Sequence, residues 1–329
     1  MPTRTGPCPP PVFLSLLTFC QVNLVFHTTV RFGFHVSMAG GFSRVRERAL
    51  AVKCETMQMF CSNPRGWGVA KLDPEDVARF RADMKDSGVS PVFVHAPYLP
   101  NLAAGTDGGR GTGDGLRSGA GFAKRSVKAL ITQAERCEAL GVHYLVVHVG
   151  KAGGLSPHGD CPQGLDKALV QVAKNLDAVL AAAPDSVMLL LENTAGMGSE
   201  VGYRFEQVAA ILGRVGQPDR VGVVLDTAHA FEAGYELRNR VGLDATLREF
   251  DKLVGFSRLH LIHLNDSKTD FGSRVDRHWH IGKGKIGKEG MRAIVNHPLL
   301  GNMPAVMETP HKTTAEDLKN LKTIRSLVA

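Results

Sequence analysis

The 329-residue sequence predicts a (β/α)8 TIM barrel, an α/β fold, and three observations carry that expectation. From Arg31 onward, short apolar runs alternate with amphipathic helical stretches, the pattern of parallel βα units. The runs number eight, enough to close a barrel. Six successive runs also end in a residue type that binds metal ions, as expected where all strand ends open onto one face. An open doubly wound sheet is the alternative architecture.

The strand-like runs cover 31–36, 56–61, 91–95, 143–149, 186–192, 221–226, 259–264 and 304–308. Asp73-Pro74-Glu75 opens a helix with a cap, a proline at the first position and an acid, and the pattern continues to about Lys85. Apolar residues three or four apart mark helices over 122–140, 165–183, 205–212, 243–253 and 289–295. The last helix begins with the capping box Thr313-Thr314-Ala315-Glu316. Residues 1–30 read as an extension, disordered or a weak targeting segment, and 31–329 as one domain. The apolar stretch 12–26 is too short and too polar to span a bilayer and is followed by no good small-residue cleavage site. No membrane partner is expected.

A net charge of +7 favours an anionic partner, a phosphorylated metabolite or a nucleic acid. The six cysteines are dispersed with no Cys-x-x-Cys, which argues against a disulfide framework or a thiolate zinc site. Two loops stand out. The Gly-rich segment 104–121 is long for a βα connection and reads as an insertion or a lid. The segment 268–288 carries Lys268, Arg274, Arg277, Lys283, Lys285 and Lys288 against Asp270 and Asp276, at the catalytic end of a barrel.

The strand ends carry the chemistry. Runs three to eight end at, or one residue past, His95, His148, Glu192, Asp226, His263 and Glu308, although His, Asp and Glu together make up only about one residue in seven. The loops add His229, Asp276 and His278, which gives five imidazoles and four carboxylates for one mouth. One zinc takes three or four protein ligands, so nine donors with one bridging carboxylate suffice for two or three ions. Nitrogen and oxygen donors without thiolate suit Zn²⁺, with Mn²⁺ or Fe²⁺ also compatible. Clustered divalent ions specialise in phosphoester hydrolysis. His143, His260 and His280 lie off this pattern, His35 near the end of the first run suits a supporting role, and His27, His158, His297 and His311 are expected at the surface.

At this point several motifs in order resemble the endonuclease IV family of apurinic/apyrimidinic endonucleases, from Arg31 to the end. They are Gly33-Phe34-His35-Val36-Ser37 with Ala39-Gly40-Gly41, Phe60 with Asn63 and Arg65-Gly66-Trp67, His95 with Tyr98-Leu99, and Glu192-Asn193-Thr194-Ala195-Gly196. Asp226-Thr227 with His229-Ala230, His263-Leu264-Asn265-Asp266, and Phe271-Gly272-Ser273-Arg274-Val275-Asp276-Arg277-His278 complete the set. The resemblance implies a zinc-dependent barrel with three Zn²⁺ per chain that cuts double-stranded DNA 5′ to abasic sites and trims blocked 3′ ends. It assigns one ion to His95, His148 and Glu192, a second to Glu192, Asp226, His263 and Glu308, and a third to His229, Asp276 and His278. Glu192 would activate water. Asn63, Arg65, Tyr98 and Leu99 would contact DNA, with Arg65 and the Tyr98-Leu99 pair entering the duplex, and Lys268, Arg274 and Arg277 would meet phosphates. His148 is followed by Val149-Gly150 where the family usually has proline before the glycine. A monomer is expected, in the cytoplasm of a bacterium or the nucleus or mitochondrion of a eukaryote. A metal-dependent sugar isomerase or epimerase on the same barrel is the alternative enzyme class, but such barrels need fewer ligands. A DNA-binding relic would show a broken ligand position, and none is seen.

Overall fold

The computed structural model describes residues 30–105, 119–152 and 162–329. Eight parallel strands close into a barrel: β1 (Arg31–Val36), β2 (Thr56–Phe60), β3 (Val92–His95), β4 (Tyr144–His148), β5 (Met188–Glu192), β6 (Val221–Asp226), β7 (Leu259–His263) and β10 (Pro304–Met307). Neighbouring strands follow chain order around the barrel, and β10 closes it against β1. Closure excludes the open sheet. Between β7 and β10 a short antiparallel hairpin, β8 (Asp266–Ser267) and β9 (His278–Trp279), brackets most of the basic loop.

The helices α1 (Val45–Ala51), α2 (Pro74–Lys85), α3 (Ala120–Leu140), α4 (Pro162–Leu180), α5 (Phe205–Leu212), α6 (Thr227–Glu232), α7 (Arg240–Leu253), α8 (Gly287–Val295) and α9 (Thr314–Arg325) follow the strands. Their ends obey local chemistry. Asp73 accepts a hydrogen bond from the Glu75 amide at the start of α2, whose Phe80 is buried edge-on against Phe42. Thr313 and Glu316 form the expected reciprocal capping box. A left-handed glycine, Gly141, ends α3, because a side chain there would be strained.

Two cores result from the pleat of the strands. Outward-facing residues such as Phe34, Met57, Val147 and Leu191 pack beneath the helices, while Phe93, Val146, Leu190, Val224, Leu261 and Val306 fill the barrel interior. Three readings of the sequence change here. The short helices α1 and α6 were not expected, since six or seven residues offer too little periodicity to detect. His229 therefore sits on a helix, and His278 on a short strand, not in loops. His297 is buried, contrary to expectation, because its ring accepts from the Leu299 amide and reaches Asp244. Residues 1–29, with His27, Cys8 and Cys20, lie outside the described residues. So do His158, Cys161 and 106–118 of the Gly-rich segment. No helix among the described residues is long and apolar enough to cross a membrane.

Candidate metal centre

Each interior apolar residue stands two positions before a candidate ligand: Phe93 before His95, Val146 before His148, Leu190 before Glu192, Val224 before Asp226, Leu261 before His263, Val306 before Glu308. A strand returns to the same face every second residue, so the next inward layer is polar and lies at the C-terminal mouth. Strand pairing sets His148 level with Glu192 and Asp226 level with His263. The short helix α6 begins at Asp226, whose carboxylate caps it by accepting from the His229 amide at 2.8 Å. That turn brings His229 back over the mouth. All nine candidates converge there.

Glu192 is central and fully buried. Its Oε2 lies 3.2 Å from Nε2 of both His95 and His148, while its Oε1 lies 2.9 Å from His263 Nδ1 and 3.4 Å from His229 Nδ1. The two oxygens thus face different imidazole groups. His263 Nδ1 is also 3.3 Å from Glu308 Oε2 and 3.8 Å from Asp226 Oδ2. Toward the rim, His229 Nε2 lies 3.3 Å from His278 Nε2 and 3.4 Å from Asp276 Oδ1, which is 3.7 Å from His278 Nε2. Donor atoms close enough to share an ion form three groups: His95, His148 and Glu192; Glu192, Asp226, His263 and Glu308; and Asp226, His229 and His278. Asp226 is the nearer carboxylate to His278, at 3.5 Å against 3.7 Å for Asp276, whereas Asp276, at the half-exposed edge, is the nearer to His229, at 3.4 Å against 3.9 Å for Asp226.

The imidazoles are oriented by the nitrogens that do not face the cluster. His95 Nδ1 donates to the Ala96 carbonyl, His229 Nδ1 to the Asn193 carbonyl and His278 Nδ1 to the Glu308 carbonyl, leaving each Nε2 for the cluster. Asn265 donates to Asp226 Oδ2 at 2.7 Å and accepts from the Glu308 amide, while Asn193 accepts from the Asp226 amide. Both asparagines lie within the sequence motifs, but nothing in the motifs' spacing points to this supporting role. Gln58, buried in β2 and bonded to both His263 and Glu308, was missed altogether, although a glutamine inside the apolar run Thr-Met-Gln-Met-Phe was a visible signal. His35 sits as expected at the end of β1, beside Glu308.

The charges are mutually dependent. Burial opposes ionisation of His263, yet the Glu308 and Glu192 carboxylates raise it to about 9. His229, against the same burial penalty, is pushed well above the usual imidazole range by Asp226 and Asp276, and His148 is raised by Glu192. Conversely, burial would raise Glu192, but the charges on His263 and His148 hold it well below the ordinary carboxylate range. Glu308 and Asp276 are likewise lowered despite burial, mainly by His263 and His229. Three carboxylates held anionic among imidazoles fit divalent cations, which would replace the compensating protons.

Seven of the nine candidates, all but the deeper Asp226 and His263, line a cleft of about 580 Å³ that also exposes Tyr98 and Arg277. Tyr98 is 62% exposed, its ring T-shaped to Phe60 with centroids 5.6 Å apart, and its amide donates to the Pro64 carbonyl, tying the loops after β2 and β3 together. Asn63 and Arg65 are exposed on the neighbouring turn, which the Asn63 side chain closes by accepting from the Arg65 amide. Leu99 is half-buried beside Tyr98. Lys268 lies over the Trp279 ring at 4.4 Å, and Arg274 is turned inward, over Tyr203 at 4.4 Å and bonded to the Gly196 carbonyl. The departure at Val149-Gly150 is accommodated: Gly150 is left-handed, Asn101 occupies the space a side chain would need, and buried Val149 packs on Gly202.

Barrel and site together define a metal-binding enzyme of the TIM-barrel class. Residues 47–325 match the family model described as a xylose isomerase-like TIM barrel. A relative from Methanosphaerula palustris named "probable endonuclease 4" is 44% identical over 301 residues, spanning 91% of this chain and 98% of that protein. The crystal structure of endonuclease IV from Thermus thermophilus superposes with a TM-score of 0.72 at 35% identity, covering 90% of this chain and 98% of that one. A D-tagatose 3-epimerase-like protein shares the fold alone, at 17% identity and a TM-score of 0.65 over 91% of this chain and 97% of that one. The chain belongs to the endonuclease IV family.

Proposed function

We propose that the protein is a zinc-dependent DNA repair endonuclease that hydrolyses the phosphodiester bond 5′ to abasic sites in double-stranded DNA. It leaves 3′-hydroxyl and 5′-deoxyribose phosphate ends and trims blocked 3′ ends. The observation that carries this reading is the division of Glu192 between two imidazole groups, the arrangement a bridging carboxylate needs. One ion would be held by His95, His148 and Glu192, a second by Glu192, Asp226, His263 and Glu308, and a third by His229, Asp276 and His278. When bound, zinc ions there would supply Lewis acidity, lowering the pKa of a water and neutralising charge on phosphoryl and leaving oxygens.

The chain's own groups do the rest. Glu192, kept anionic by its imidazole neighbours, orients the attacking water and takes up its proton. Arg65, Tyr98 and Leu99 enter the duplex at the lesion, with Asn63 holding the turn, and Tyr98 fills the stack left by the missing base. Extruding an abasic nucleotide costs less than extruding a paired base. Arg277 and Lys268 keep the rim basic for the phosphate backbone, while Arg274, expected to meet phosphate as well, is turned inward and holds the loop through Gly196 and Tyr203. All nine ligand candidates come from one chain, which supports action as a monomer. A sugar epimerase would need neither the third donor group nor a basic rim.

The test is a duplex with a single abasic site, incubated with and without a chelator. Incision on the 5′ side that the chelator abolishes and zinc restores is expected. Incision on the 3′ side, or cleavage indifferent to chelation, would overturn the assignment.

A further inference from the structure

We propose that Gln58 is a positioning residue for the ion held by Glu192, Asp226, His263 and Glu308, setting the tautomer of His263 and choosing which Glu308 oxygen is presented. The proposal rests on the metal reading of that group.

Gln58 is fully buried, and a buried carboxamide must place both of its ends against partners. One end lies 2.6 Å from Glu308 Oε1. A carboxylate can only accept, so that end is the NH₂ group. Its second hydrogen points at His35 Nδ1, 3.0 Å away. The other end is therefore the carbonyl oxygen, which can only accept, and it lies 2.9 Å from His263 Nε2. His263 must then carry its proton on Nε2.

Two consequences reach the metal group. With Nε2 protonated, the free lone pair of His263 is on Nδ1, the atom that faces Glu192 Oε1, Glu308 Oε2 and Asp226 Oδ2. With Oε1 engaged by Gln58, Glu308 turns Oε2 to the same point. One side chain thus aligns two ligands, one at the end of β7 and one at the end of its paired neighbour β10. His95, His229 and His278 take their orientation from backbone carbonyls, whereas His263 depends on a replaceable side chain. Methionine at position 58 would keep the volume and lose both bonds. Glutamate would keep an acceptor for His263 but set a carboxylate against Glu308.

The experiment loads the wild-type protein, Gln58→Met and Gln58→Glu with zinc and equilibrates each against rising chelator, counting ions per chain. Cobalt-loaded samples are compared by visible absorption. Both variants should release one ion at roughly 10- to 100-fold lower chelator than wild type, the range for loss of a group supporting a ligand, and keep the others. The cobalt spectrum should change to match. In zinc-loaded wild type, nitrogen-15 NMR of labelled histidines should find the His263 proton on Nε2, a result that does not depend on either variant folding. Wild-type ion retention with an unchanged cobalt spectrum in both variants, or a proton on His263 Nδ1, would overturn the proposal alone. A wild-type protein that binds no ion would overturn the metal reading and the proposal with it.

Discussion

Single residues at the mouth act as a set, and Glu192 is the member with no substitute. Its two oxygens serve two groups of imidazoles, and its charge is sustained by the same neighbours. Glu192→Gln keeps shape and one acceptor oxygen but loses charge and proton acceptance. Cleavage of an abasic duplex should fall by at least about 10²- to 10⁴-fold, the span of a lost general base, while gel-shift affinity for the same duplex persists. Turnover near wild type in that variant would remove Glu192 from its assigned role. The six strand-end candidates were legible in the sequence because a parallel strand carries a short apolar run to a defined end. The residues that aim them were not, since Asn265, Asn193 and Gln58 act through partners 33 to 250 positions away, a distance no local pattern encodes.

Among the elements, the basic loop is the one whose construction differs most from its sequence impression of exposed charges. It is bound to α6: the Gly272 and Arg274 amides donate to the Phe231 and Glu232 carbonyls, and the buried Glu232 carboxylate accepts from Ser267, Thr269 and the Arg277 amide. Arg274 takes a left-handed backbone, φ 53°, which costs a non-glycine residue on the order of 1 kcal/mol and persists only where its contacts hold it. Its guanidinium serves as a strap to Gly196 and Tyr203, whereas Arg277 faces the cleft. The two arginines should therefore separate in a salt titration of DNA binding. Arg277→Ala is expected to lower the slope of log affinity against log salt by about 1, the signature of one lost phosphate contact. Arg274→Ala should weaken binding with the slope unchanged, because it loosens the loop without removing a phosphate partner. The opposite pattern would exchange their roles. Periodicity found the long helices to within a few residues, but α6 and the β8–β9 hairpin that shape this loop are too short to show a period.

For the whole molecule, the mouth concentrates ionisable groups at the end of an otherwise apolar interior, so ion loading and global stability must be linked. In the metal-free protein His263 is raised from its usual 6.5 to about 9, and His229 and His148 are raised as well. A group whose folded pKa is raised contributes stability that is complete below its unfolded value and is lost as pH climbs through the folded one. The metal-free barrel should thus lose stability between about pH 6.5 and 9. Glu192, Glu308 and Asp276 are depressed and have the opposite sign, so their contribution is present above the ordinary carboxylate range and lost only in acid. Bound ions replace the imidazole protons, which removes the alkaline loss and strengthens binding as pH rises. Melting temperatures measured with zinc and with excess chelator at pH 6, 7.5 and 9 should diverge progressively, the chelated sample falling while the loaded one holds. A gap that stays constant or closes toward pH 9 would mean that the charge balance of the mouth is not set by ions taking the place of protons.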